Sequence, residues 1–319
     1  MKKALIIAPE YMGYTAKIAD NLRKKNIDTT AIHIPPYNYP SFSSRVQNFF
    51  LKIISKDIKF KHREIYIKKV IKDDHFDTIL VIRPDLISTK MLQDLKERSQ
   101  YLKTYFFDGI YRFPKKFKTL PYFDEIYSFE PSDCKKFGFI PITNFIYQES
   151  NFVKKKHTDY KYKIFNITSY DRKRFHTLLK IAAQLKKQNH EYKIIIKTNK
   201  KIKSNVLIDY ITKPMSLAEI NVFLNNAFCM LDLGVIQKHK GLTFRVFEAM
   251  GQSKKIITNN PEIVNYDFYN PQNILIIDEK NIKIPPAFFT SDYIQIPADV
   301  YNKYTINTWT NIVFSELFI

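Results

Sequence analysis

The strongest constraint in this sequence is a repeated alternation. Short apolar runs, most of them closed by proline or an acidic residue, are separated by stretches with helical spacing. Lys3–Ala8 ends at Pro9 and is followed by a helical pattern from Thr15 to Lys25, with Ile18 and Leu22 on one face. Thr29–Ile34 ends at Pro35 and Pro36, and Thr78–Ile82 is stopped by Pro84. A helix is expected over Lys90–Tyr101, then a strand over Lys103–Phe107 reaching Asp108, then another over Glu125–Phe129 stopped by Pro131. This order builds a parallel sheet, because parallel neighbours need a crossover long enough to carry a helix.

A polar stretch without clear periodicity, 150–162, interrupts the alternation and reads as an interdomain linker. A second series follows. Strands are expected at Lys163–Ile167, Tyr192–Lys197, Cys229–Leu233, Lys255–Thr258 and Asn273–Ile277. Helices are expected at Arg172–Gln188, at Ser216–Asn225 with Glu219 completing a capping box, and at Thr243–Gln252. The expectation is two α/β domains, 1–155 and 156–319, with a closing helix able to pack back on the first. At roughly 100 to 200 residues per domain, 319 residues suit two.

Composition removes several function classes. Six glycines in 319 residues leave no dinucleotide fingerprint and no P-loop, so a nucleotide must be held another way. Two cysteines, Cys134 and Cys229, supply neither a disulfide framework nor a zinc site. The histidines are scattered and no Asp-x-Asp occurs, so metal-independent chemistry without a cofactor is expected. No signal-peptide pattern follows Met1 and no run of about 18 apolar residues exists, which places the expected location in the cytoplasm.

The formal charge is +20, with a surplus of nine in residues 1–150, eleven in 151–200 and none beyond. Such a field draws anions: nucleic acid, acidic lipid headgroups or a phosphorylated small molecule. Lys, Ile, Asn, Tyr and Phe are abundant throughout, so solvated surface explains the surplus equally well. Between the early strands, Arg45–Lys72 carries Val46, Phe49, Phe50, Ile53 and Ile54 at helical spacing, with Lys52, Lys56, Lys59, Lys61 and Arg63 among and after them. It reads either as a helix laid on the sheet or as a surface for anionic lipid at a membrane face.

In open parallel sheets ligands sit beyond the carboxyl ends of strands, so chemistry is sought there. The sharpest local feature is Lys240–Gly251. Thr243 can cap a helix whose first amides bind an anion, and Arg245 and Glu248 share one face of it, where a guanidinium suits a diphosphate and a carboxylate suits ribose hydroxyls. Arg and Glu at this spacing equally form a plain surface ion pair. Arg172, first of a basic triplet after Ser169, stands near the same kind of strand end.

The Gly241-Leu242-Thr243-x-Arg245-x-x-Glu248-Ala249 core, with Lys255–Asn259 and the Tyr266-Asp267-Phe268-Tyr269-Asn270 box, resembles the donor half of bacterial GT-B glycosyltransferases of lipopolysaccharide-core and capsule biosynthesis. Weaker similarity extends through Gly13-Tyr14, Phe107-Asp108, Phe123–Pro131 and Ser169–Arg172. The resemblance implies two Rossmann-like domains facing across a cleft. It also implies transfer of a sugar from a nucleotide-sugar donor to a lipopolysaccharide-core, capsule or other surface-glycan acceptor. Donor contacts then fall on Lys240, Gly241, Leu242, Thr243, Arg245, Glu248, Arg172 and Ser169, and acceptor-side contacts on Gly13 and Tyr14. Many retaining members carry a glutamate where this sequence has Lys240. A lysine cannot take that role, so retaining and inverting routes both stay open. An inverting route needs a base, for which Asp108 and then Glu10 are the candidates, each directly after a strand. Two other classes stand beside this reading: a basic nucleic-acid-binding protein, although none of the usual binding signatures occurs, and a GT-B-like module that binds without turnover.

Overall fold

The computed structural model describes residues 1–9, 13–35, 41, 43, 58–112, 114–147, 159–200, 206–234 and 240–319. Glu10, the apolar residues Val46 to Ile54 and most of the expected linker lie outside the described residues. The chain divides into two units, Met1–Thr143 with Ile306–Ile319, and Asn144–Thr305.

Unit 1 is built on six parallel strands: β1 (Lys3–Pro9), β2 (Asp28–Ile34), β3 (Phe76–Val81), β4 (Ser99–Phe106), β5 (Glu125–Ser128) and β6 (Ile140–Pro141). Their order is β2-β1-β3-β4-β5-β6, so the chain reverses direction across β1. Ala4 to Ile7 are fully buried, as a strand covered on both faces must be, and they pair with Thr29 to Ile32 on one side and Thr78 to Val81 on the other. Leu5, Ile7, Ile79 and Val81 pack with Ile67 and Ile71 of the helix Ile58–Ile71 and with Met91, Leu92 and Leu95 of the helix Thr89–Glu97.

That second helix departs from the expected Lys90–Tyr101. Ser88 caps its start by accepting from the Met91 amide at 3.1 Å. The helix ends at Glu97 and strand pairing begins at once, with Ser99 opposite Phe76 and Tyr101 opposite Thr78. Pairing to β3 outweighs the helical spacing of Leu95 and Leu102.

The segment after Thr305 joins unit 1. Trp309 of the helix Ile306–Val313 sets its ring edge against Tyr105, with centroids 5.1 Å apart. Beneath it Lys103, 1% exposed, ends at 2.5 Å from Glu316, 2.7 Å from Glu125 and 2.9 Å from the Val313 carbonyl. The Thr78 hydroxyl donates to the other Glu316 oxygen. A buried ammonium is tolerable only when its donors are met in this way.

Unit 2 is also a six-stranded parallel sheet, with a different strand order: β7 (Tyr162–Ser169), β8 (Tyr192–Lys197), β9 (Asp209–Ile211), β10 (Ala227–Asp232), β11 (Lys255–Thr258) and β12 (Ile274–Ile276), ordered β12-β11-β10-β7-β8-β9. Every pairing is parallel, and the reversal falls between β7 and β10. Alternate residues serve opposite faces, as a period of two requires. Ile164 joins Leu178, Ile181 and Leu185 of the helix Arg172–Lys187. Phe165 joins Leu224, Val246 and Phe247 from the helices Leu217–Asn225 and Phe244–Gly251. Phe247 is fully buried, worth roughly 2–3 kcal/mol. The expected capping box is present, with Ser216 and Glu219 each bonding the other's backbone amide.

The Tyr266–Asn270 box serves packing. Phe268 stands edge-on to Tyr304 at 4.9 Å and against Phe247 at 6.4 Å, while Asp267 accepts from the Tyr304 hydroxyl at 2.7 Å and from Lys303 at 2.6 Å. No described helix is long and apolar enough to cross a membrane.

Candidate functional site

The reversal between β7 and β10 leaves a gap beyond their carboxyl ends that no crossover covers, and ligands in open α/β sheets collect at such points. Unit 2 brings four elements to it: the ends of β7 and β10, the start of the helix Arg172–Lys187, and the start of the helix Phe244–Gly251. Thr243 caps the last of these. Its hydroxyl accepts from the Arg245 amide at 3.2 Å, with the extended backbone (φ −70°, ψ 161°) that a cap residue adopts.

Arg245 turns back over the sheet, and its Nη1 donates to the Ile167 carbonyl of β7 at 2.9 Å. One turn on, Glu248 accepts from the Tyr147 hydroxyl at 2.7 Å. Both are half-buried. They do not pair with each other, so the plain surface ion pair is not what forms. Phe247 and Met250 point inward, and Phe244 stands edge-on to Phe145 at 5.2 Å.

Asp232, the last residue of β10, is 7% exposed and lies at this point. Burial pushes its carboxyl above the ordinary range, while Arg245, the Thr243 hydroxyl and Arg174 hold it down and Glu248 pushes it further up. Arg174 belongs to the helix capped by Asp171, and its guanidinium reaches the Thr168 hydroxyl and the Ser169 carbonyl. Two guanidinium groups thus converge on two adjoining strand ends. Arg172 is exposed at the first position of that helix, and Ser169 is exposed at the end of β7.

Asn259 and Asn260, following β11, hold both ends of the connection between β10 and the helix Phe244–Gly251. Asn259 accepts from the Gly234 amide at 2.9 Å and donates to the Gly234 carbonyl at 3.0 Å and to Glu279 at 2.8 Å. Asn260 donates to the Lys240 carbonyl at 3.0 Å. Asn144 secures the next step by donating to the Leu242 carbonyl at 2.8 Å. Gly241 and Leu242 are buried, whereas Lys240 is exposed with Glu262 3.7 Å away. Side-chain amides suit this work, since each offers a donor and an acceptor to one backbone unit.

In unit 1, Gly13 has φ 74°, a left-handed conformation that glycine adopts without strain, and opens the helix Tyr14–Arg23. Tyr14 is half-buried. Asp108 follows β4 and receives Arg112 at 2.5 Å. Nearby, Lys116 is 1% exposed with its ammonium 4.5 Å from the centre of the Phe106 ring. Burial lowers it to about 8, opposed by Asp85, Asp108 and Asp133 and assisted by Arg83. Arg83 itself, at φ 63°, forks onto Asp85 with bonds of 2.8 and 2.9 Å.

Arg174, Tyr147 and Asn144 were not legible as site residues. Arg174 could have been reached by phase: with Asp171 as cap, it is the third helical position, not the first, that turns toward the strand end. Among the described residues no three His, Cys, Asp or Glu side chains gather so as to hold a metal. Burial pushes the Cys229 thiol up to about 12 and Cys134 up to about 11, which makes both poor nucleophiles.

No family model and no curated protein matches the chain. Solved structures do. An α,α-trehalose-phosphate synthase (UDP-forming) from Burkholderia xenovorans, in complex with glucose-6-phosphate, aligns with a TM-score of 0.61 at 10% identity, over 99% of this chain and 99% of that one. S. aureus MnaA with UDP aligns at 0.53 with 14% identity, over 100% and 98%. A UDP-GlcNAc 2-epimerase from Neisseria meningitidis bound to UDP-GlcNAc aligns at 0.52 with 12% identity, over the whole of both chains. At these identities the likeness is one of fold, which is α/β of the GT-B type.

Proposed function

We propose that this chain is a glycosyltransferase that moves a sugar from a nucleotide-sugar donor to a lipopolysaccharide-core, capsule or other surface-glycan acceptor at the inner face of a bacterial membrane. The observation that carries the reading is the pair Thr243 and Arg245: a capped helix start and a half-buried guanidinium beside two strand ends. Such a start carries partial positive charge, and the guanidinium adds a planar fork, which together suit a diphosphate without any glycine-rich loop. Support also comes from the similar structures, whose own descriptions name UDP, UDP-GlcNAc and UDP-forming synthesis.

In this reading Arg245, the positive end of the helix Phe244–Gly251 and the exposed Lys240 meet the diphosphate as its charge develops on leaving. Arg174 supports them from the end of β7. Glu248, oriented by the Tyr147 hydroxyl, accepts from ribose hydroxyls. Unit 1 holds the acceptor, with Gly13 and Tyr14 near it and Asp108 as the base that takes the proton from the attacking hydroxyl. Arg112 holds that carboxylate in place until the acceptor hydroxyl replaces it. No metal is needed for these steps.

The test is a thermal-shift panel of UDP-, GDP-, ADP-, CMP- and dTDP-sugars, followed by transfer or hydrolysis assays on Arg245→Ala and Glu248→Ala. One sugar nucleotide should raise the melting temperature, and each substitution should lower turnover at least about tenfold, or ~1.4 kcal/mol of transition-state stabilisation. Unchanged rates in folded variants would refute the site. Salt-sensitive oligonucleotide binding with no shift from any sugar nucleotide would refute the function.

A further inference from the structure

The helix Ile58–Ile71 has two very different sides. Ile67 and Ile71 are buried against the sheet, and two charged neighbours also turn inward: Arg63 donates to the Leu86 carbonyl at 2.9 Å and Glu64 accepts from the Ser88 amide at 2.9 Å. The outer side presents Lys61, His62, Lys68 and Lys69, with Lys72 just beyond the end. Among them stand Ile65, 59% exposed, Tyr66, 41%, and Val70, 40%. No other described helix exposes three large apolar side chains, and the outer arc of this one carries no acid. Acids border it on two sides: Asp94 on the adjoining helix, 3.6 Å from Lys68, and the exposed Asp73 and Asp74 directly after Lys72, the latter 4.0 Å from Lys3.

We propose that this outer arc is a docking surface for an anionic lipid bilayer. Lysine ammonium groups fit lipid phosphates, and their long stems let the charge stay at headgroup level while the helix lies close. Ile65, Tyr66 and Val70 fit the acyl boundary beneath. A tyrosine ring with a hydroxyl tip suits that interface. A nucleic acid would satisfy the cations and leave Ile65 and Val70 in water, whereas a lipid surface answers both chemistries at once.

The inference deepens the proposed function by naming the surface that meets the membrane, and it rests on the membrane-proximal part of that reading. The experiment is co-sedimentation of the full chain with phosphatidylglycerol–phosphatidylcholine vesicles and with phosphatidylcholine alone. It compares wild type, Ile65→Ser/Tyr66→Ser/Val70→Ser and Lys61→Gln/Lys69→Gln/Lys72→Gln. These side chains are exposed, so thermal melts of all three proteins should coincide, and a sugar-nucleotide thermal shift should persist in each. That shift reports the donor site separately, so failure at the vesicles and failure of the donor reading are distinguishable.

The expected result is binding to the anionic vesicles only, weakened about tenfold or more in both variants, with salt reversing the lysine-dependent part. Retained binding in either variant overturns the proposal, as does equal binding to neutral vesicles. It is likewise overturned if a duplex oligonucleotide binds as tightly as the vesicles and through the same lysines.

Discussion

Both units are six-stranded parallel sheets with one reversal, flanked on its short side by one further strand in unit 1 and by two in unit 2, and they treat charge differently. At the reversal in unit 1, Arg83 spends its fork on Asp85 two residues away. At the reversal in unit 2, Arg245 donates to a backbone carbonyl, and among the described residues no carboxylate is hydrogen-bonded to it. The interiors differ likewise. Lys103 of unit 1 closes on Glu125 and Glu316, whereas Lys254 and Lys255 of unit 2 close on neutral oxygens, the Ala227 and Phe288 carbonyls and the Ser291 hydroxyl. A parallel sheet with a reversal is therefore not enough to make an anion site. What differs is the hydrogen-bond partner: a carbonyl holds Arg245, with the Asp232 carboxyl close enough to feel its charge, where a carboxylate takes the fork of Arg83.

The largest test of this contrast is Lys103→Met. It leaves Glu316, 14% exposed, and the more exposed Glu125 without their shared cation, and should cost about 3 kcal/mol in denaturant unfolding. Lys255→Met, which removes only neutral partners, should cost clearly less. Equal losses would erase the distinction between the interiors.

Next in size is the pH response of unit 1. Lys116 is lowered by burial from 10.5 to about 8 in the folded chain, so between those values the unfolded chain binds more protons. Stability should rise with pH from about 8 toward 10.5, recovering a penalty of about 3 kcal/mol that the charged amine imposes at neutral pH. Lys116→Met should flatten that rise, as followed by chemical denaturation across the same window.

The smallest effect belongs to unit 2. Asn259→Ala removes three bonds, two of them to Gly234, and should cost about 1–3 kcal/mol. Because it loosens the connection to the Thr243 cap, it should also shrink the thermal shift given by the sugar nucleotide. A full shift in this variant would show that the cap needs no such support.

The strands of both units were legible wherever apolar runs were long, because a strand buried on two faces has little choice of residue. The edge strands β6 and β9 were not: Ile140–Pro141 and Asp209–Ile211 are too short to stand out, and only their partners define them. The Thr243 cap and the inward set of Phe247 and Met250 followed from helical phase. What phase could not supply was the far end of each bond. That Arg245 reaches Ile167, and Glu248 meets Tyr147, depends on elements about eighty and a hundred residues away. In the Tyr266–Asn270 box, too, the partners come from afar: Phe268 packs on Phe247 and Tyr304, and Asp267 accepts from Tyr304 and Lys303.

The return of Ile306–Ile319 to unit 1 has a consequence for how the molecule is made. A ribosome delivers all of unit 2 before it delivers Trp309 and Glu316, so the earlier-encoded half must wait with Tyr105 uncovered and the Lys103 ammonium met by Glu125 alone. The later-encoded half is contiguous and can mature first, inverting the usual order in which nascent chains settle.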